Sequence, residues 1–93
     1  MEDKRKELAR AILSLKTEEE CYDLLEDMCT LKEVEDMSNR LYIASMLSRG
    51  KTFMDVESKT GASSATISRV NRCLKHGQGY QRILKRLVDE EQQ

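Results

Sequence analysis

The sequence predicts an all-α fold of six helices, and three observations carry that prediction. Apolar residues recur at the spacing of an amphipathic helix in nearly every segment, with no strand-like alternation. Hydroxyl residues able to cap a helix precede four of those segments. The chain has no proline, one Phe and 35% charged residues, the composition of helices with well-solvated outer faces. It shows no internal repeat and no low-complexity tract.

The elements follow in order. Leu8, Ile12 and Leu15 share one face of a first helix, about residues 2–15. Thr17 with Glu20 forms a Thr-x-x-Glu capping box that starts a second, with Cys21, Leu24, Leu25 and Met28 as its apolar stripe. Thr30 with Glu33 repeats the signal and opens a third helix running to about Arg49. Its Val34, Met37, Leu41, Ala44 and Leu47, with Tyr42, Ile43 and Met46 on adjoining faces, suit a central helix covered from several sides. Gly50 ends it as a left-handed cap. Thr52 with Asp55 caps a short fourth helix, roughly 53–60, that exposes Lys59 and buries Val56, and Gly61 breaks it. Ser63 caps a fifth, 64–76, with Ile67, Val70 and Leu74 on one face. Gly77 and Gly79 are expected to form a flexible joint. The last helix, about 80–91, carries Tyr80, Ile83, Leu84, Leu87 and Val88 at helical spacing.

Residues 1–93 fit one domain, and so short a chain has a thin core by itself. Disulfides, a metal or a partner chain are the usual supports. Three cysteines (Cys21, Cys29 and Cys73) without a Cys-x-x-Cys pair make poor disulfide material and point to a reducing cytosol. Association with a partner chain is therefore the expected support. No apolar run approaches the roughly 20 residues needed to span a bilayer. The segment Met1 to Lys6 lacks the apolar stretch of a secretory signal. The expectation is a cytoplasmic protein that does not engage membranes.

The formal net charge of −1 conceals an uneven distribution. Residues 1–57 hold 9 basic and 14 acidic side chains, whereas residues 58–88 hold seven basic ones and no Asp or Glu. A field of that kind suits a polyanion. A solvated basic face would look the same, and charge alone does not choose between them.

Residue types choose better. Two short helices joined through a glycine at a three- to four-residue turn form a helix-turn-helix, here about residues 53–76. Gly61 accepts the positive φ of the turn, and Val56, Ile67 and Val70 are placed to hold the crossing angle. The second helix must enter a groove about 12 Å wide, so its leading residues should be small. They are Ser63, Ser64, Ala65 and Thr66, followed by Ser68. Arg69 and Arg72 reach to base or backbone, and Lys75 is better placed for phosphate. Glu57 stands where many such motifs carry Ala.

The run Gly61-Ala62-Ser63-Ser64-Ala65-Thr66-Ile67-Ser68-Arg69 resembles the Trp repressor superfamily, whose segment reads Gly-Ala-x-x-Ala-Thr-Ile-Thr-Arg. Its continuation to Gly77 is similar to the YerC/YecD branch of Trp repressor-related regulators. The resemblance is sharpest over about residues 40–77 and extends to the six-helix layout. It implies a Trp repressor-like domain and an intertwined homodimer whose first three helices and last helix build a shared core. Two reading heads would then lie one DNA turn apart on double-stranded DNA, with Ser63, Ser64, Ala65 and Ser68 at base edges and Lys59, Arg72 and Lys75 as candidates for DNA contact. In Trp repressors an indole ring is sandwiched between two arginines beside a glycine. Arg40 and Arg69 take the places of the arginines, but Val70 stands at the glycine. A branched side chain there overpacks the ring's space at about 1–3 kcal/mol, so L-tryptophan is not expected as corepressor and no cofactor is implied.

Other motifs carry less. Cys73-x-x-His76 is half a zinc site without a second pair at suitable spacing, so no metal is expected and core thiols are the simpler reading. The five methionines read as gap fillers in the core. Acidic clusters at Glu18–Glu20 and Glu33–Asp36 suit helix dipoles. His76 reads as a solvated residue at a helix end. No Ser/His/Asp arrangement, phosphate loop or metal triad is present, so an enzyme is not the expected reading. Two readings follow: a sequence-specific transcriptional regulator acting as a repressor, or a helical dimerisation or adaptor module whose basic segment docks an acidic protein. Sequence preference separates them.

Overall fold

The computed structural model describes residues 3–91. They form α1 (Asp3–Leu13), α2 (Glu18–Met28), α3 (Leu31–Ser48), α4 (Phe53–Thr60), α5 (Ser64–His76) and α6 (Gly79–Glu91). No strand occurs among the described residues. Six helices in this order are what the periodicity predicts, and the differences lie at the ends. The expected start of the first helix at residue 2 lies outside the described residues. α1 stops at Leu13, and the Ser14 hydroxyl donates to the Ala11 carbonyl at 2.7 Å. α6 starts one residue earlier than expected, at Gly79.

Capping explains the starts. The Thr30 hydroxyl accepts the Glu33 amide at 3.1 Å, and the Glu33 carboxylate accepts the Thr30 amide at 2.8 Å. Thr52 and Asp55 make the same reciprocal pair ahead of α4. At α2 the box is displaced: Thr17 accepts from the Glu20 amide, but the Glu20 carboxylate accepts from Lys16 rather than Thr17. The end of α3 is a Schellman cap on Gly50, whose φ is +88°. The Lys51 amide donates to the Met46 carbonyl and the Gly50 amide to that of Leu47, each at 3.1 Å.

The chain divides into two compact units, Met1–Val34 and Glu35–Gln93. In the first, neither α1 nor α2 holds a buried residue. Leu15, Cys21, Leu24 and Leu25 are half-buried, whereas Leu8 and Ile12 are exposed. The second unit carries the core: Ile43 and Ala44 from α3, Val56 from α4, Ile67 and Val70 from α5, and Leu84 from α6. Met46, Leu47, Ala62, Leu74 and Tyr80 pack around it.

Three expectations are corrected here. The apolar arc of α3 is covered on the side of Ile43 and Ala44, but Met37, Leu41 and Tyr42 stay exposed. The methionines are not general gap fillers: Met46 packs on the core, whereas Met28, Met37 and Met54 are exposed and Met1 lies outside the described residues. The thiols are not core thiols either, with Cys21 and Cys29 half-buried and Cys73 exposed. Helical periodicity marks a face without stating what covers it, which is why all three errors concern cover. Glu57 disturbs no packing, because its side chain is exposed and Val56 takes the buried place on α4.

Candidate nucleic-acid interface

The turn between α4 and α5 sets the site. Gly61 has φ +70° and ψ 7°, and its amide donates to the Glu57 carbonyl at 2.9 Å, closing α4 with a left-handed cap. The Thr60 hydroxyl donates to the Val56 carbonyl at 2.7 Å and accepts the Ala62 amide at 3.1 Å, bracing the turn from inside. Ser63 is extended (φ −69°, ψ 155°) and caps α5. Its hydroxyl accepts the Thr66 amide at 3.2 Å and donates to the Thr66 hydroxyl at 3.0 Å. Below the turn, Val56, Ile67 and Val70 are buried together, so the two helices cannot rotate freely about it.

That burial fixes which side of α5 faces out. At 3.6 residues per turn, Ser64, Ala65, Ser68, Arg69, Arg72 and Lys75 fall within an arc of roughly 140°. All six are exposed, whereas Ile67, Val70 and Leu74 occupy the opposite side. Along the exposed arc the residues are small for the first turn and cationic afterwards. An α-helix also leaves its first amides without intrahelical partners. Ser63 takes that of Thr66, and the amides of Ser64 and Ala65 complete an anion-attracting end with the positive pole of the helix. A narrow leading turn, an amide-rich end and trailing cations together can enter a groove and hold phosphates.

The structure brings together most of the residues expected from the sequence. Lys59, Ser63, Ser64, Ala65, Ser68, Arg69, Arg72 and Lys75 are exposed on α4, the turn and α5. Thr66 is half-buried and its hydroxyl is engaged in the cap, which leaves it a structural part. Arg40 and Arg69 are exposed, but Val70 is 2% exposed and belongs to the core. His76 is exposed at the last residue of α5, as expected. Among the described residues no group of three or more His, Cys, Asp or Glu side chains could hold a metal. The Asp55 carboxyl is held below the ordinary carboxylate range, first by the Thr52 amide it accepts, then by the Thr52 side chain and by Lys51.

Sequence reasoning missed two residues. Thr60 was legible in principle, as a hydroxyl residue directly before a Gly-Ala turn. Gln81, whose amide nitrogen reaches the carbonyls of Leu74 and Lys75, has no spacing signature.

An all-α chain with this braced turn and exposed basic helix is a helix-turn-helix protein of the Trp repressor type. Comparisons agree: the Trp repressor protein family profile matches residues 3–88. YerC of Bacillus subtilis (strain 168), itself uncharacterised, is 46% identical over 86 residues, covering 91% of this chain and 83% of YerC. A Staphylococcus aureus chain provisionally assigned as a Trp repressor superposes with a TM-score of 0.89 at 43% identity, covering 95% of this chain and 89% of that one. A Trp repressor-like protein of Eubacterium eligens ATCC 27750 gives 0.85 at 50% identity, over 89% and 87%. The chain belongs to the Trp repressor family, in its YerC branch. The family consists of DNA-binding regulators, not enzymes. No helix among the described residues is long and apolar enough to cross a membrane.

Proposed function

We propose that the chain is a single-domain, sequence-specific transcriptional repressor, working in the cytoplasm as an intertwined homodimer on double-stranded DNA. The observation that carries this reading is the division of α5: one side is sealed into the core through Ile67 and Val70, and the other exposes Ser64, Ala65, Ser68, Arg69, Arg72 and Lys75. The small leading residues meet base edges, and Arg69, Arg72, Lys75 and Lys59 meet phosphates or guanine edges. Ser63 and Thr66 hold the start of α5 in shape for that contact.

The dimer is supported by what one chain leaves uncovered. Among the described residues six hydrophobic ones are buried, whereas Leu8, Ile12, Leu41, Ile83, Leu87 and Val88 remain exposed. Each fully buried aliphatic side chain contributes about 1.5–3 kcal/mol, so six are a thin core for so many helices. A second copy covering α1, α3 and α6 supplies the missing burial. Selection of bound sequences from random duplexes tests both parts. The expected result is a pseudo-palindrome with half-sites spaced by about 10 base pairs. Binding without sequence preference would support the adaptor reading instead.

A further inference from the structure

Gln81 lies in the first turn of α6, outside the residues assigned to DNA, yet its side chain reaches back to α5. Its Nε2 donates to the Leu74 carbonyl at 2.7 Å and to the Lys75 carbonyl at 3.3 Å. One step earlier, the Gly77 amide donates to the Cys73 carbonyl at 2.8 Å. A helix normally ends with carbonyls that have no intrahelical partner. Here two successive ones, those of Leu74 and Lys75, in the same turn that carries Arg72 and Lys75, are met from the next helix.

Gly77 lies between the two helices and is itself tightly placed. Its backbone is extended (φ −91°, ψ 178°), so no left-handed conformation demands a glycine. The demand is steric, because a Cβ at Gly77 would sit 2.7 Å from the Cys73 carbonyl oxygen. Gly77 thus lies close on the last turn of α5, and α6 begins two residues later, at Gly79. Further along α6, Leu84 is buried in the core and Tyr80 packs against it. Gln81 therefore sits between the anchored part of α6 and the free end of the basic helix. A carboxamide suits the task, since one NH2 offers two hydrogens and can serve two carbonyls.

We infer that Gln81 is a positioning residue that fixes the C-terminal half of α5 against α6, and with it the pose in which Arg72 and Lys75 approach DNA. This role rests on the DNA-binding reading above. Gln81→Leu keeps the bulk and removes both hydrogen bonds, and the full chain carrying it is compared with wild type in two arms. Without DNA, amide hydrogen exchange over residues 74–77 should accelerate by about 2- to 12-fold, the equilibrium equivalent of one or so neutral hydrogen bonds. With DNA, affinity for the sequence selected by wild type should fall by a similar factor, affinity for a random duplex should hold, and the selected half-site spacing should broaden. Unchanged exchange, or an equal loss on both duplexes, overturns the role. A wild type with no sequence preference overturns the DNA reading and this role together, and the exchange arm still reports whether Gln81 secures the helix end.

Discussion

Thr52 and Asp55 hold each other at the start of α4: the Thr52 hydroxyl accepts the Asp55 amide at 3.1 Å, and the Asp55 carboxylate accepts the Thr52 amide at 3.1 Å. The second bond favours the ionised carboxyl and lowers its pKa, with Thr52 the larger cause and Lys51 a lesser one. Glu33 is lowered in the same way by the Thr30 amide. A carboxyl depressed in the folded state stabilises the fold above its unfolded value and loses that contribution as pH falls through the folded value. The window therefore opens near the ordinary carboxylate range, at about pH 4, and extends downward. Thermal melts of wild type and Asp55→Asn should differ by a constant amount above about pH 5 and converge below about pH 4. Parallel curves across the whole range would remove the carboxylate from the cap.

Gly61 and Gly77 are both needed, for different physical reasons. Gly61 has φ +70° with open space where a Cβ would go, so the cost of a side chain is conformational. Ala there should cost about 1–2 kcal/mol, and Asn, which tolerates the left-handed region, should cost less. Gly77 has an ordinary φ but no room beside the Cys73 carbonyl, so Asn there should be no better than Ala. Urea midpoints of the four variants test the contrast. Equal relief by Asn at both positions would contradict the steric account of Gly77.

Arg72 is exposed on the arc of α5 proposed to face DNA, whereas Glu19 is exposed on α2 in the other unit. Arg72→Ala should weaken binding to the selected duplex by about 1–3 kcal/mol if it reads a base edge. If it contacts phosphate, the salt slope should drop by about 0.9 with little change in sequence preference. Glu19→Ala should alter neither. Affinity titrations over a range of salt concentrations separate the outcomes, and an Arg72→Ala protein matching wild type in both would remove α5 from the interface.

The order of elements was legible because capping chemistry is local. Thr17, Thr30, Thr52 and Ser63 each meet an amide three residues on, and that spacing is written in the chain. Gly50 and Gly61 were legible for the same reason, since a left-handed cap needs the residue that tolerates it. The exposed arc of α5 followed from its periodicity once Ile67 and Val70 were assigned inward. Cover was not legible. Met28, Met54 and Cys73 sit at positions that read as apolar or neutral, and only a neighbouring element decides whether such a position is buried. Gln81 was invisible because a side chain bonding backbone seven residues away depends on how α6 leaves α5, not on spacing.

Val70 bears on the ligand. Its side chain is buried with Ile43, Val56, Ile67 and Leu84, at the position where the Trp repressor resemblance places a glycine beside an indole ring. Seating a ring there would displace a core residue, so tryptophan should not bind at micromolar concentration although Arg40 and Arg69 are present and exposed. Isothermal calorimetry with L-tryptophan should show no saturable heat. Micromolar binding would mean that the core around Val70 opens, and would restore tryptophan as corepressor.

Leu84 ties α6 to the core of the second unit, with Tyr80 packed beside it and Gln81 on the end of α5. Truncation after Gly77 removes all three together with Ile83, Leu87 and Val88, the exposed apolar residues assigned to the partner copy. Loss of one buried leucine side chain costs about 2–5 kcal/mol, a large share of the roughly 5–15 kcal/mol that holds a small domain folded. The truncated chain should therefore lose its cooperative thermal transition and its dimer. Leu84→Ala should lower the melting temperature but keep the transition, because α6 still caps α5 and keeps the apolar residues proposed to cover a partner copy. Calorimetry and analytical ultracentrifugation on the two variants decide the matter. A truncated chain that melts cooperatively as a dimer would show that α6 serves neither the core nor the interface.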